Sequence, residues 1–299
     1  HADRFKPLMP QSVEMRTLVS LVEQRRGLVS DRVRITNRLR DTLKQYYPPA
    51  LEWFDRIDTV LLCDFIERWP TLLQVKRARR ATLENFFHQH NMRRAQVLDA
   101  RLTSIKAAHA LTTDAAVITP HRLQAQALVD LLRVTLMAIK RFDEAIAELA
   151  PQHPDYELFR PLPGAGPSLA PRLLVAFGEQ RDRFKSAAEL QRYAGIAPVT
   201  ERSGKKHWVH WRWQCPTFLR QTFVEWSAQT INKSYWAGLY YYQQRGKGCS
   251  HQAAVRALAF KWIRILYRCW ITRTPYDEAK YLKALQERGS PLLKTAEAA

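Results

Sequence analysis

One hydroxyl group in the chain is surrounded by positive charge. Ser203 follows Arg202 and precedes Gly204, Lys205 and Lys206. A hydroxyl that attacks a phosphodiester needs cations to stabilise the charge that develops at the phosphoryl group, and this segment supplies them. The attack also needs a base or a metal to activate the hydroxyl, and the neighbouring sequence contains neither. By residue type alone, a Ser-Gly pair in a basic segment is more often an ordinary turn.

The seven residues that follow alternate as a short strand does. The alternation places His207, Val209, Trp211 and Trp213 on one face, and Trp208, His210 and Arg212 on the other. Interleaved aromatic rings and arginines can stack on bases while they pair with phosphates, so we expect Trp211 and Arg212 to contact nucleic acid. His207 and His210 are not expected to bind a metal, because no third ligand lies nearby.

A glycine-rich turn lies upstream, in the run Leu-Pro-Gly-Ala-Gly-Pro-Ser of residues 162–168. A short helix is predicted before it and a second helix after it, ending near Phe177, which is the pattern of a helix-hairpin-helix. Gly164 and Gly166 permit positive φ and expose backbone N–H groups. With the N-terminal dipole of the second helix, these groups suit a DNA phosphate. The alternative is a helix–helix turn that is glycine-rich for structural reasons.

Positive charge is concentrated in a basic tract, residues 200–273. The tract contains 13 Lys and Arg residues, Arg220 among them, against Glu201 and Glu225, a net charge of +11. Within it a helix is predicted to follow Ser250, with four cations in an arc of about 140° opposite an apolar side. The cations are Arg256, Lys261, Arg264 and Arg268, and the apolar side consists of Val255, Leu258, Ala259, Trp262, Leu266 and Cys269. A solvated basic face is the alternative, but no Glu neutralises this one, which favours contact with phosphates.

The composition is that of a globular protein with an excess of base. The 299 residues include 47 Lys and Arg against 28 Asp and Glu, a formal net charge of +19, and 46% are hydrophobic. This balance indicates a polyanionic partner, either nucleic acid or an anionic membrane surface. Charged residues interrupt the longest apolar stretches, so no membrane span and no signal peptide are predicted. The four scattered cysteines predict reduced thiols in a cytoplasmic protein and no zinc site.

The elements that position these residues are predicted to be mainly α-helical, with one small strand element, because apolar residues recur at steps of three and four. A long basic helix is predicted over Val13–Tyr46, stopped by Pro48 and Pro49. The chain divides into a linker helix (1–50), a helical module (51–118), a coiled-coil segment (119–150) and a C-terminal domain (151–299). Smaller predicted features are a helix that restarts at Pro70-Thr71, a helix N-cap at Thr82, a capping box of Ser186 and Glu189, a helix stop at Gly195 and a frayed tail from Gly289.

Apolar residues of the coiled-coil segment repeat at alternating steps of four and three. They are Leu128, Leu132, Thr135, Ile139, Phe142, Ile146 and Leu149, with Thr135 the one polar member. This heptad seam is long enough for a helical hairpin or for a contact between two copies of the chain. An ordinary amphipathic helix packed on a core explains it equally well. Pro151 and Pro154 end this helix.

The motifs of residues 155–230, taken in order, resemble insertion-sequence transposases of the IS116/IS110/IS902 type, also called DEDD transposases. They are Leu-Pro-Gly-x-Gly, Phe-Lys-Ser-Ala-x-x-Leu, Tyr-Ala-Gly-Ile-x-Pro, Ser-Gly and Leu-Arg. Each motif is weak alone, but the ordered set is specific. The resemblance extends more loosely over the preceding helical segments, and so over nearly the whole chain.

The resemblance implies a two-part recombinase. Members of the family combine an N-terminal RuvC-like domain, which has four metal-binding acids, with a C-terminal domain that carries a nucleophilic serine. A structured guide RNA selects their DNA partners. The serine of the family corresponds to Ser203. The four acids precede the segment that residues 3–8 resemble, so we expect this chain, which begins at His1, to lack them. No cofactor is then bound by this chain, and Mg²⁺ is expected only with the missing domain.

The sequence thus predicts a cytoplasmic DNA transposase with Ser203 as nucleophile and with Arg202, Lys205 and Lys206 steadying the phosphate. It is expected to bind DNA and a structured RNA, to form a homo-oligomer through the coiled-coil segment, and to be inactive alone. The first alternative is a helix-hairpin-helix binding protein without covalent chemistry. The others are an RNA-binding or assembly protein and a degenerate product that does not fold.

Overall fold

The computed structural model of the chain describes residues 10–210 and 212–294. Helices dominate this part of the chain, and its two strands form a single antiparallel hairpin. The prediction of a mainly α fold with a small strand element is therefore confirmed. None of the helices in the described ranges is both long enough and apolar enough to cross a membrane.

The described residues form two compact units. The central unit comprises residues 24–142, and the terminal unit comprises the described residues up to 23 together with those from 143 onward. Each unit has its own hydrophobic core. Helices α1 (Val13–Tyr46) and α7 (Ala115–Leu149) contribute residues to both units. The boundaries predicted at residues 50, 118 and 150 stay predictions.

Five short helices of the central unit lie in sequence between α1 and α7. They are α2 (Pro49–Glu52), α3 (Val60–Arg68), α4 (Leu72–Arg77), α5 (Arg80–Gln89) and α6 (Ala95–Ala107). Helix α1 has the predicted bounds. Helix α4 begins directly after Pro70-Thr71, the predicted restart, and Thr71 caps it by accepting a hydrogen bond from the N–H of Gln74. The predicted cap at Thr82 is wrong. The extended backbone of Arg79 already starts α5 at Arg80, so Thr82 lies inside its first turn.

The core of the central unit is built around one phenylalanine. Phe65 is fully buried, and five aromatic rings surround it with centroids 4.9–6.2 Å away. These rings belong to Trp53, Phe54, Trp69, Phe86 and Phe87. Most of the pairs are tilted or edge-on, which is the arrangement that the ring quadrupoles favour.

The terminal unit contains eight helices beyond α7 and the hairpin. They are α8 (Tyr156–Phe159), α9 (Gly166–Phe177), α10 (Ala187–Tyr193), α11 (Thr217–Thr230), α12 (Tyr235–Gly246), α13 (His251–Thr272), α14 (Glu278–Glu287) and α15 (Pro291–Lys294), with strands β1 (Val199–Ser203) and β2 (Lys206–His210). The frayed tail predicted from Gly289 is wrong as far as residue 294, because α15 is helical and buries Leu292. Residues 295–299 lie outside the described part.

Local signals set the helices around the hairpin. Ser186 caps α10 as predicted, and Gly195 follows its end with φ of +69°. The carboxylate of Glu189 accepts from the N–H of Lys185 rather than from that of Ser186, so the capping box is only half formed. Helix α13 begins after Ser250, whose hydroxyl accepts from the N–H of Ala253.

The core of the terminal unit contains four tryptophans that are fully buried. Each donates its indole N–H to another part of the unit: Trp226 to the carbonyl of Pro163, Trp236 to the hydroxyl of Tyr276, Trp262 to that of Thr230 and Trp270 to the carbonyl of Gly178. Because a buried N–H without a partner is costly, these bonds fix where each ring and its partner lie.

The heptad seam is used inside the chain. Leu128 and Leu132 are buried in the core of the central unit, and Ile146 is buried in that of the terminal unit. A different set of apolar side chains on α7 is exposed, namely Leu123, Leu131, Val134 and Met137. The structure thus matches the interpretation of the seam as the packed side of an amphipathic helix.

Candidate nucleic-acid interface

The Ser-Gly motif forms the tip of the β-hairpin. Strands β1 and β2 pair antiparallel with Ser203 directly opposite Lys206, and Gly204 and Lys205 form the two-residue turn between them. Gly204 has φ of +57°, the left-handed conformation that such tight turns require at a central position. The predicted strand is present as β2, but it ends at His210. Trp211 lies outside the described residues.

The hydroxyl of Ser203 is exposed and has no hydrogen-bond partner among the residues that the structure describes. Its nearest acid along the same face of β1 is Glu201, since alternate residues of a strand share a face. The carboxylate of Glu201 lies 3.3 Å from Nε2 of His210 across the hairpin. The hairpin therefore presents a serine hydroxyl without a general base in hydrogen-bonding contact.

The three cations predicted to steady a phosphate surround Ser203, and all three are exposed. Lys206 shares a face with Ser203, and directly paired residues have Cβ atoms about 4.5–5.5 Å apart. Arg202 projects from the other face, and Lys205 lies in the turn. A phosphate at the tip could therefore be contacted by cations from both sides of the hairpin.

Three more of the predicted residues come together near the other end of the hairpin, and we call them the arginine cluster: Arg212, Arg220 and Arg256. The guanidinium of Arg220 donates to the carbonyl oxygen of Arg212 at 3.4 Å. Burial, and secondly the charge of Arg220, lower the pKa of Arg256 to about 10. An anion bound close to Arg256 would raise this pKa again. Since five strand residues span about 13 Å, this arginine cluster is separate from Ser203.

The predicted basic side of α13 is divided between two surroundings. Its apolar side is buried as predicted, at Val255, Leu258, Ala259, Trp262 and Leu266, with Cys269 partly covered. Arg256 belongs to the arginine cluster, whereas the ammonium of Lys261 lies 4.0 Å from the ring centroid of Tyr240 on α12. Burial, and then the charges of Arg264 and Lys247, lower the pKa of Lys261.

Arg264 and Arg268 are exposed on the same helix and remain open to a ligand. Lys247 and Tyr240 were not predicted as site residues. The run of three tyrosines at 240–242 was the signal that could have indicated a cation–π partner for Lys261.

The two glycines of the predicted phosphate-binding turn have different surroundings. Gly164 has φ of +74°, and a Cβ there would lie 2.9 Å from Cβ and 3.0 Å from the carbonyl oxygen of Gln229 on α11. The indole N–H of Trp226, also on α11, donates to Pro163 in the same turn. Gly166 has φ of +54°, is exposed, and has open space where a Cβ would be. Gly164 is thus required by packing, and Gly166 is the glycine that leaves room for a ligand.

Helix α9 begins at this turn without a side-chain cap. The N–H groups of a first helical turn lack partners within the helix, and the helix dipole attracts anions to them. Gly166 and Ser168 are both exposed in this turn. The preceding helix α8 has only four residues, so the helix-hairpin-helix stays a prediction.

Aromatic side chains of the basic tract are divided between the core and the surface. The four buried tryptophans cannot stack on a base, whereas Trp208 and Trp213 are exposed, Trp213 to 82%.

Of the two acids in the tract, Glu225 accepts a hydrogen bond from the buried guanidinium of Arg172 at 2.6 Å. Arg172 also donates to the hydroxyl of Thr222, so this ion pair ties α9 to α11.

No group of three or more His, Cys, Asp and Glu side chains that could hold a metal ion occurs in residues 10–210 and 212–294. The side chains present there do not fit the Mg²⁺ that the resemblance implies for the whole recombinase. What they offer instead is exposed cations beside a serine hydroxyl, and groups of this kind contact nucleic-acid backbones in other proteins.

Comparison with known proteins identifies the family of this chain. Residues 156–243 match the model of the transposase IS116/IS110/IS902 family. A Streptomyces coelicolor protein, named as a mini-circle transposase for IS117, is 30% identical over 99% of this chain and 70% of its own length. The chain therefore belongs to the IS116/IS110/IS902 family of insertion-sequence transposases.

Two further relatives are proteins of insertion elements. A 44.8 kDa protein of IS116 from Streptomyces clavuligerus is 28% identical over 88% of this chain and 65% of its own length. A 43.6 kDa protein of IS110 from Streptomyces coelicolor is 27% identical over 84% of this chain and 62% of its own length. The chain thus spans about two thirds of the length of the curated relatives that it matches.

Proposed function

We propose that this chain acts on DNA as an insertion-sequence transposase and that Ser203 forms the covalent link to a DNA end. The observation that carries the proposal is the hairpin tip, where an exposed serine stands opposite Lys206 and between Arg202 and Lys205. Membership of the transposase family supports the class of reaction.

The proposed step is a transesterification at phosphorus. The Oγ of Ser203 forms a bond to the phosphorus, the bond from phosphorus to a deoxyribose oxygen breaks, and that oxygen leaves as a hydroxyl after taking up a proton. Phosphoserine and a free DNA end result, with no change in oxidation state. The cations at the tip stabilise the additional negative charge on the phosphoryl oxygens.

DNA binding is proposed to spread over three places in the terminal unit. Gly166 at the start of α9 would donate backbone N–H to one phosphate, the arginine cluster would hold a second, and Arg264 and Arg268 would contact others. These contacts fix the position of the duplex and carry no sequence information. Their number predicts a strong dependence of binding on salt.

The proton that leaves Ser203 needs an acceptor, and no described residue contacts the hydroxyl. We therefore propose that the chain alone does not cleave DNA and that the activating group comes from a separately folded metal-binding domain of the kind that the resemblance implies.

The proposal includes two partners besides DNA. A structured RNA is proposed on the family resemblance and on the excess of base, which the two units share. A homo-oligomer through α7 is also proposed, but Leu128 and Leu132 are covered by the chain's own core. A second copy would have to contact the exposed side of α7 at Leu131, Val134 and Met137.

The test is a search for a covalent protein–DNA adduct. The purified chain is incubated with labelled end DNA of its insertion element and Mg²⁺, with and without a RuvC-like domain taken from a relative, and is analysed on denaturing gels. We expect an adduct only when the domain is added, and none with Ser203→Ala. The matched control is Thr200→Ala, which removes another exposed hydroxyl from the same hairpin and should leave the adduct intact.

Other results would select an alternative. An adduct that persists in Ser203→Ala would remove the serine from the mechanism. No adduct under any condition, together with tight, salt-sensitive binding, would leave a binding protein without covalent chemistry. Affinities for duplex DNA and folded RNA, measured at one salt concentration, then decide between a DNA-binding and an RNA-binding module.

A further inference from the structure

A large cleft in the terminal unit has neither the residues of the hairpin tip nor the three arginines of the arginine cluster in its lining. It has a volume of about 1220 Å³ and is lined by residues from the start of α1 and just before it, α9, the segment 180–185, the end of α10, the start of α11 and α13. Pockets for single small molecules measure about 300–1,000 Å³. The cleft can therefore hold a short stretch of a chain-like ligand.

Aromatic rings form one side of the cleft. Tyr193 is 45% exposed at the end of α10, and its ring lies 5.6 Å from that of the buried Phe184. Phe218 and Tyr267 are half-buried in the lining, and the hydroxyl of Tyr267 donates to the carbonyl of Phe184 at 2.8 Å. This bond fixes the ring of Tyr267. A planar apolar ligand would therefore meet aromatic surfaces that are already in place.

Cations line another part of the cleft. The guanidinium of Arg183 lies 5.0 Å from the ring of Phe184 and 5.7 Å from that of Tyr193. Arg16 and Lys185 are exposed in the lining, and neither they nor Arg183 form an ion pair with an acid in the described chain. Arg181 is different, because both of its terminal nitrogens are bound by Asp155 at 2.7 Å. Two exposed acids, Glu23 and Asp182, also line the cleft, so the excess of positive charge is small.

This combination of surfaces matches unpaired nucleotides better than a duplex. Bases stacked in a duplex keep their faces covered, whereas the faces of unpaired bases can stack on aromatic rings. Cations next to the rings can contact the phosphates between such bases. A single-stranded segment fits this chemistry as DNA or as RNA, because nothing in the lining selects for a 2′-hydroxyl.

We propose that this cleft binds a short unpaired stretch of nucleic acid, with one base stacked on Tyr193 and the adjoining phosphates near Arg16, Arg183 and Lys185. The inference rests on the proposed action on nucleic acid and names a second kind of substrate segment for it. The cleft would keep an unpaired strand apart from the duplex that the basic tract binds.

The test compares short labelled probes by fluorescence anisotropy at one salt concentration. The probes are oligo-dT and oligo-rU of ten nucleotides and a 20-base-pair duplex. For Tyr193→Leu we expect affinity for at least one single-stranded probe to fall about fivefold or more, since an aromatic–base stack is lost. Affinity for the duplex should change less than twofold. Arg183→Gln should weaken the same single-stranded probe.

The matched control is Tyr242→Leu, which removes another exposed tyrosine of the terminal unit. Circular dichroism checks that each variant keeps the helical signal of the parent. The proposal is overturned if Tyr193→Leu binds single strands normally, or if Tyr242→Leu weakens them equally. A parent chain that binds the duplex but neither single strand also overturns it, while leaving the proposed action on DNA intact. A parent that binds single strands but forms no serine adduct even when the RuvC-like domain is added contradicts the proposed function instead. The probe whose affinity falls, oligo-dT or oligo-rU, shows whether the unpaired strand is DNA or RNA.

Discussion

The two units of the molecule are both basic but are built on different cores. The central unit has 21 Lys and Arg against 11 Asp and Glu, a net charge of +10 in 119 residues. Its core is a set of phenyl and indole rings around Phe65, held mainly by apolar contact. In the terminal unit, four buried tryptophans are each hydrogen-bonded, two of them to carbonyl oxygens in turns.

Their charges are arranged differently as well. In the central unit several cations pair with acids of the same unit, as Arg133 does with Asp64 and Glu67, both at 2.5 Å. The basic tract of the terminal unit has 13 cations and two acids, so most of its cations cannot form an ion pair with an acid of the same tract. Net charge alone therefore does not show where a binding surface lies. A binding surface is better indicated by cations that have no acids nearby and that lie on turns held in place by the core.

The largest effect should come from removing one of the hydrogen-bonded tryptophans. We expect Trp226→Ala to lower the free energy of unfolding by about 3–5 kcal/mol, because it empties a core site and leaves the carbonyl of Pro163 without its donor. Urea unfolding followed by circular dichroism measures this loss. Trp213→Ala is the control, because Trp213 is 82% exposed and its loss should change stability by less than about 0.5 kcal/mol.

A gentler change separates the two kinds of core. Trp226→Phe keeps an aromatic ring but removes the N–H, and should still cost about 1–3 kcal/mol. In the central unit, Phe65→Leu keeps an apolar side chain and removes no polar contact, so about 1.5 kcal/mol or less is expected. If Phe65→Leu proved the more costly of the two, the distinction between a hydrogen-bonded and an apolar core would be wrong.

The next effect concerns the turn that Trp226 holds. Gly164→Ala should cost about 3 kcal/mol, since it combines a left-handed φ with overlap against the backbone of Gln229. Gly166→Ala meets open space and should cost about 1 kcal/mol, the cost of the left-handed conformation alone. Thermal and urea unfolding of the two variants measure the difference. Equal losses would mean that the turn is not fixed against α11.

Sequence reasoning succeeded where the cause is local. The bounds of α1, the helix start at Pro70-Thr71, the cap at Ser186 and the buried side of α13 follow from periodicity and from nearby residues. Thr82 failed because a threonine caps a helix only if its own backbone is extended and the helix begins directly after it. In α5 the residue with that conformation is Arg79, and Thr82 is already helical.

The rest depended on contacts between residues far apart in sequence. The heptad seam showed that one side of α7 is apolar, but not that the chain's own residues cover it. Gly164 and Gly166 look equivalent in sequence, and only the approach of Gln229 distinguishes them. The cleft around Tyr193 combines six separate segments, and the motifs that begin at Phe184 and Tyr193 do not by themselves show that these two rings line one cleft. The nucleophilic role proposed for Ser203 rests on the family resemblance, because its own surroundings lack a base.

The smallest effect tests the ion pairs of the central unit. Arg133 is part-exposed, and although it contacts two carboxylates, solvent screening limits what such pairs contribute. We expect Arg133→Gln to lower the free energy of unfolding by about 1 kcal/mol or less, and the difference to shrink further in 0.5 M NaCl. The comparison is Arg172→Gln in the terminal unit, where the guanidinium is buried against Glu225 and a loss of about 3 kcal/mol is expected. Urea unfolding at two salt concentrations measures both. A loss at Arg133 as large as that at Arg172 would show that the charges of the central unit support its fold as strongly as buried ones do, and the distinction between the two units would then have to rest on their cores alone.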